Sequence, residues 1–176
     1  MIIGPGGAGK SELSFRLEDV LHLPLYHLDN IWWKKDKTNI SREEFDRKLN
    51  EIIDQDEWII DGDYSRTYKM RMEKADTIIF LDYPLEVCLK GVESRLGKER
   101  KDIPFIDYEF DPEFKSWIYN WFINTRPYLL ELLEMYKDDK EIIILHERKE
   151  IDDLLAIIEV KNTPTTEFDM NAPWSK

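Results

Sequence analysis

Four of the chain's seven glycines fall between residues 4 and 9, inside the segment IIGPGGAGKS that runs from Ile2 to Ser11. No other feature constrains the fold as much. A stretch so poor in side chains adds little to a core, yet isoleucines precede it and ELSFRL follows with helical spacing. Strand, glycine turn and helix in that order suit the binding of an anion. Glycine lets successive backbone N–H groups curl inward without a Cβ in the way. The helix adds its unpaired N–H groups and the positive end of its dipole. Gly4, Gly9, Lys10 and Ser11 fit G-x-x-x-x-G-K-[ST], the phosphate-binding P-loop pattern. The candidate nucleotide-binding run is thus Gly4, Pro5, Gly6, Gly7, Ala8, Gly9, Lys10, Ser11 and Glu12. Within it, Lys10 is expected to reach the β- and γ-phosphates of ATP, and the Ser11 hydroxyl to ligate Mg²⁺.

Only Met1, Ile2 and Ile3 precede Gly4, fewer than the five or so residues of a typical strand. Either the strand is stunted or the natural start lies upstream. On the sequence as it stands, the loop leaves no room for a signal peptide ahead of it. No stretch approaches the roughly 20 apolar residues of a membrane span. A lone cysteine, Cys88, fits a reducing compartment, so a cytoplasmic location is expected. Cys88 itself falls on an apolar helical face and reads as packing. Acidic residues outnumber basic ones 37 to 25, for a net charge of −12. That balance argues against a grip on duplex DNA, which depends on Lys and Arg neutralising phosphates. The chain reads as one domain over 1–160, with KNTPTTEFDMNAPWSK (161–176) as a loosely ordered tail.

Short apolar runs alternate with helical stripes. PLYHL (24–28), EWIID (57–61), DTIIFLD (76–82) and EIIIL (141–145) read as buried strands. Between them Phe45, Leu49, Ile52 and Ile53 form one stripe, opened by Ser41 and Glu44 in capping-box positions. Leu85, Cys88, Leu89, Val92 and Leu96 form a second, and Ile151, Leu154, Leu155 and Ile158 a third. This alternation predicts an α/β fold of three layers, a parallel sheet with helices on both faces. Residues 111–137 look helical, with a break or kink at Arg126-Pro127. Trp117, Trp121 and Phe122 on that segment read as a core stripe.

A second signature lies in EWIIDGDYSRT. Asp61 ends a predicted strand, where a carboxylate beside a P-loop can hold Mg²⁺ through its water. Taken alone, Asp61-Gly62 reads more readily as a common turn pair. Its surroundings carry it further. IIDGDYSRT resembles the DGFPRT segment of adenylate kinases, with Asp61, Gly62, Arg66 and Thr67 matching. Together, YHLDNIWW, WIIDGDYSRT, ADTIIFLDYP and RPYLLELLEMY more closely resemble the P-loop kinases called DNA topology modulation proteins. The resemblance runs from Met1 to about Leu155. It implies an adenylate-kinase-like P-loop NTPase fold whose five-stranded parallel sheet is ordered 2-3-1-4-5, with ATP as donor. It also implies that Asp61 serves the metal and Arg66 holds the phosphate of the acceptor. Asp63 and Tyr64 replace the Phe-Pro of adenylate kinases, so an AMP acceptor does not follow. The strand before the P-loop is also shorter than the family's.

ESRLGKERKDIP places Arg95, Lys98, Arg100 and Lys101 where such kinases carry a lid, here around residues 95–110. These read either as lid cations or as a solvated charge cluster. Arg126 matches a family position whose arginine faces the phosphates. Arg148 would stack on adenine or cap a neighbouring carboxylate. Asp29, at the end of YHLD, reads equally as a general base for a hydroxyl acceptor or as an N-cap or turn aspartate; His27 before it reads as packing. The expectation is a Mg-ATP-dependent kinase acting on a small-molecule acceptor, a nucleotide or related anionic metabolite in preference to an alcohol. Two other readings stand beside it: a nucleotide-binding regulator of DNA topology that performs no transfer, and a simple NTPase.

Overall fold

In the computed structural model, which describes residues 1–162, the apolar runs pair into one parallel sheet. Its strands are β1 (Ile2–Ile3), β2 (Leu25–His27), β3 (Ile59–Asp61), β4 (Thr77–Leu81) and β5 (Glu141–Leu145). They lie in the order β2-β3-β1-β4-β5, the expected fold class and strand order. The helices are α1 (Lys10–Leu21), α2 (Leu28–Trp32), α3 (Arg42–Ile53), α4 (Tyr68–Lys74), α5 (Leu85–Glu93), α6 (Pro112–Asn120), α7 (Arg126–Tyr136) and α8 (Glu150–Asn162). Among the described residues none is long and apolar enough to cross a membrane. The expected tail lies, beyond Asn162, outside the described residues.

Alternate strand residues feed opposite layers, as the pleat demands. Ile2, Ile79 and Leu81 pack with Leu13 and Leu17 of α1 and with Ile151, Leu154 and Leu155 of α8. Ile3, Ile78 and Phe80 turn the other way, onto Tyr68 and Met72 of α4 and Leu129, Leu132 and Leu133 of α7. The α3 stripe closes over Leu28 and Ile60. Its N-cap is half of the expected box: Ser41 Oγ accepts from the Glu44 N–H at 3.1 Å, while the Glu44 carboxylate pairs with Lys48 instead. Although only two residues long, β1 is paired on both sides, Ile2 standing opposite both Asp61 and Ile79.

Three local expectations are corrected. The outer strands are less covered than the inner ones, Ile144 of β5 being 37% exposed, because an edge strand has one neighbour. PLYHL ends as a strand at His27, and Leu28 and Asp29 already belong to α2. Arg126-Pro127 does not break the helix. The preceding turn, Trp121–Thr125, widens into a π-helix in which the Arg126 N–H bonds the Trp121 carbonyl. The wider turn gives room to a proline ring that would otherwise press on the carbonyl four residues back.

The strand order reverses at β1, and the chain leaves β1, β2 and β3 at the same edge of the sheet. The P-loop, α2 and the 62–67 loop therefore meet there, where open α/β sheets place their ligands.

Candidate active site

The loop after β1 is shaped by glycines with left-handed backbone: φ is +142° at Gly4, +83° at Gly7 and +96° at Gly9. A Cβ on Gly7 would stand 2.0 Å from the Cys88 carbonyl oxygen, and one on Gly91 2.0 Å from the Gly7 carbonyl oxygen. Loop and α5 thus touch backbone to backbone. A Cβ on Gly9 would meet nothing within 4 Å. That open side is the cradle, with the N-terminus of α1 beneath it. Lys10 Nζ donates to the Pro5 carbonyl at 2.9 Å. A cavity of about 750 Å³ opens above, lined by Gly6, Gly7, Gly9, Lys10, Ser11 and Glu12, with Gly4, Pro5 and Ala8 buried behind.

On the side expected to face a cation, Ser11 and Asp61 both line the cavity but do not bond each other. Ser11 Oγ donates to Asp102 Oδ2 at 2.6 Å. Asp61 lies 3.2 Å from Ser14 Oγ and 2.9 Å from His27 Nδ1. The sheet register sets this pair, since His27 of β2 stands directly opposite Asp61 of β3. His27, read from sequence as packing alone, therefore also orients Asp61; its buried Nε2 has no partner. Among the described residues no cluster of three or more His, Cys, Asp or Glu forms a complete cage. A hydroxyl and two carboxylates beside an anion cradle do fit Mg²⁺, which keeps waters and takes few protein ligands next to phosphates.

The opposite wall is aromatic and acidic. Phe15, Trp32, Trp33 and Tyr64 line it. Asp29 accepts a hydrogen bond from the Tyr64 hydroxyl at 2.8 Å. Burial pushes the Asp29 carboxyl above its ordinary range, the Tyr64 bond opposing it. Burial and the Asp29 charge push the Tyr64 hydroxyl up, which keeps it a donor. Asp63, also on this wall, accepts from the Tyr68 hydroxyl and from Trp121 Nε1, and burial raises its carboxyl too.

Besides Lys10, four of the predicted cations line the cavity: Arg95, Arg100, Lys101 and Arg148. Arg95 lies over the Phe114 ring at 5.9 Å; burial and Arg100 lower its pKa to about 10, so it stays charged at neutral pH. Arg100 bonds Asp102 through Nε at 3.0 Å and through Nη2. Arg148 donates to the Gly7 carbonyl at 3.3 Å. Phe114 leans on Gly6, and Trp117 stacks on Phe114 at 5.8 Å. Trp117 is 42% exposed and part of the cavity wall, which corrects its reading as core; Trp121 of the same stripe is buried.

Three predicted cations, Arg66, Lys98 and Arg126, do not line the cavity. At the left-handed turn of Tyr64 (φ +37°), Tyr64 faces the cavity and Arg66 faces solvent, where it bonds both oxygens of Asp46 at 2.6 and 2.9 Å. Arg126 makes a twin pair with buried Asp82, both bonds 2.7 Å. The arginine that sequence reasoning missed is Arg71. Fully buried, it donates to the carbonyls of Gly62, Asp63 and Tyr64 and to Thr67 Oγ1, pinning the loop that carries Asp63 and Tyr64. Burial lowers its pKa to about 10, so it too remains charged. Its signal was present: Tyr68, Arg71, Met72 and Ala75 share one helical stripe, and a lone arginine among apolar residues marks a buried brace.

Solved structures that share this architecture include two kinases. Shikimate kinase from Acinetobacter baumannii, in complex with shikimate, is 16% identical with a TM-score of 0.54, over 92% of each chain. Deoxyadenosine kinase from M. mycoides is 13% identical with a TM-score of 0.50, over 91% of this chain and 96% of that one. At such identities the likeness establishes the fold, that of a P-loop kinase. No protein-family model and no curated protein matches the chain.

Proposed function

We propose that the chain is a Mg-ATP-dependent kinase whose acceptor is a small molecule attacking through a hydroxyl. The observation that carries the choice of acceptor is the opposite fate of two residues: Asp29 lines the cavity and Arg66 does not. A phosphate acceptor needs a cation to hold it and would meet the Asp29 carboxylate as a like charge. A hydroxyl must lose a proton, and a carboxylate in reach assists that loss.

In this reading the loop amides and Lys10 hold the donor phosphates, while Ser11 and Asp61 face the cation. Mg²⁺, when bound, supplies charge neutralisation at the β- and γ-oxygens. Arg95 and Arg100 offset charge on the migrating group, and Phe114 and Trp117 help exclude water. Asp29 takes the hydroxyl proton as the new O–P bond forms and ADP leaves. The net charge of −12 gives duplex phosphates little to bind, so the kinase half of the family resemblance is the half that this site supports.

The test is a panel of shikimate, deoxynucleosides and other hydroxyl compounds set against nucleoside monophosphates, each with Mg-ATP, following ADP and acceptor together. Turnover with a hydroxyl compound supports the reading. Turnover only with monophosphates overturns the acceptor class. ADP and phosphate released with no acceptor consumed would make the protein an NTPase.

A further inference from the structure

The Ser11–Asp102 hydrogen bond joins the P-loop to the segment between α5 and α6. A hydroxyl has one proton and two lone pairs. Ser11 gives its proton to Asp102 at 2.6 Å, which leaves the oxygen lone pairs for a cation. Asp61 does not compete for that proton: it is paired with His27 Nδ1 at 2.9 Å, while Ser14 Oγ beside it at 3.2 Å donates to the Ser11 carbonyl at 2.8 Å. Asp102 comes from the segment between α5 and α6, is only 4% exposed, and holds Arg100 with both of its oxygens.

We infer that Asp102 is the positioning residue of the cation site. It turns the Ser11 oxygen toward Mg²⁺ and, through Arg100, sets the lid cation in the same step. A residue between α5 and α6 thereby orients the P-loop serine, a role no sequence expectation assigned. This rests on the Mg-ATP reading above. A different role, in which Asp102 plugs the site and must be displaced, predicts the opposite response.

The experiment is a melting-temperature titration of the whole chain with ATP, first in EDTA and then with increasing MgCl₂. Asp102→Asn should raise the Mg²⁺ concentration at half-maximal ATP-induced shift by about tenfold or more, the range seen when an outer-shell partner of a metal ligand is lost. Asp102→Glu should recover part of the loss. Ser11→Ala should show a similar displacement, and the double variant no more than the larger single one. Should Asp102→Asn fail to fold, Asp102→Glu against Ser11→Ala still reads the coupling. An unchanged Mg²⁺ midpoint, or additive single effects, overturns the inference alone. Tighter ATP binding by Asp102→Asn overturns it in favour of the plug. A wild type blind to ATP with and without Mg²⁺ overturns the kinase reading and this inference with it.

Discussion

Gly4 to Ser11 shape the phosphate side of the cavity with eight consecutive residues, whereas Asp29, Tyr64, Arg95 and Asp102 reach the facing side from separate segments. The first side is built of backbone, whose conformation glycine and the start of α1 dictate locally. The second is built of side chains held across the fold, Asp29 by Tyr64 and Asp102 by Ser11, with the Tyr64 loop braced from α4 by Arg71. Damage should therefore travel differently. A change in the phosphate loop acts on binding and little else. A change in a support behind the acceptor wall acts on the fold first.

The largest effect that sharpens this contrast is predicted at Arg71. Arg71→Met removes the side-chain donor of the Gly62 and Asp63 carbonyls and of Thr67 Oγ1 in a buried loop, and should cost about 3–5 kcal/mol in denaturant unfolding. A loss below about 1 kcal/mol would mean that the acceptor wall does not lean on this brace. Lys10→Ala should leave the unliganded melting temperature nearly unchanged. It should remove most of the roughly 2.7 kcal/mol of stabilisation that ATP gives at a hundred times its dissociation constant. An equal ATP shift in variant and wild type would break the assignment of the backbone-built side.

At Asp29 the two sides meet, and kcat should fall by about 10² or more in Asp29→Asn, as for loss of a general base. Because burial raises its carboxyl, the acid limb of the wild-type rate should lie above the ordinary carboxylate range. The sign for stability is the reverse of a salt-bridged aspartate. A folded pKa above the unfolded one means that the fold loses stability as pH rises from the unfolded value through the folded one. Asp29→Asn should therefore melt higher than wild type at neutral pH while transferring more slowly; a lower melting point would contradict the burial of that charge. The smallest effect belongs to Arg66. Its pair with Asp46 is solvent-exposed, so Arg66→Ala should change stability by less than about 1 kcal/mol and leave the acceptor KM nearly untouched. A strong rise in KM would restore Arg66 to the acceptor and count against a hydroxyl.

Legibility followed the same division. The P-loop, the strand–helix alternation and the α3 and α8 stripes were readable because each is set by neighbours in sequence. Asp29 was readable as a residue but not as a geometry, since the switch from β2 to α2 at Leu28 depends on packing against Phe45 and Leu49. Arg66 matched a known motif, yet one left-handed residue, Tyr64, turned it outward. Asp102 was hidden in a run of charges whose solvated reading was equally good, and only the fold brings it to Ser11, 91 positions away. Trp117 kept helical spacing with Trp121, but the π-turn beginning at Trp121 follows it, and its face looks into the cavity rather than the core.

The contact of Gly7 with α5 has a consequence for turnover. With carbonyl oxygens filling the space where side chains would begin, the P-loop and α5 meet backbone to backbone, and a side chain at Gly7 or Gly91 would force them apart. The roof over that floor is the stretch from Ser94 to Asp111 together with α6. In the proposed kinase, nucleotide and ADP would pass by that roof, and its opening would then set the ceiling on turnover.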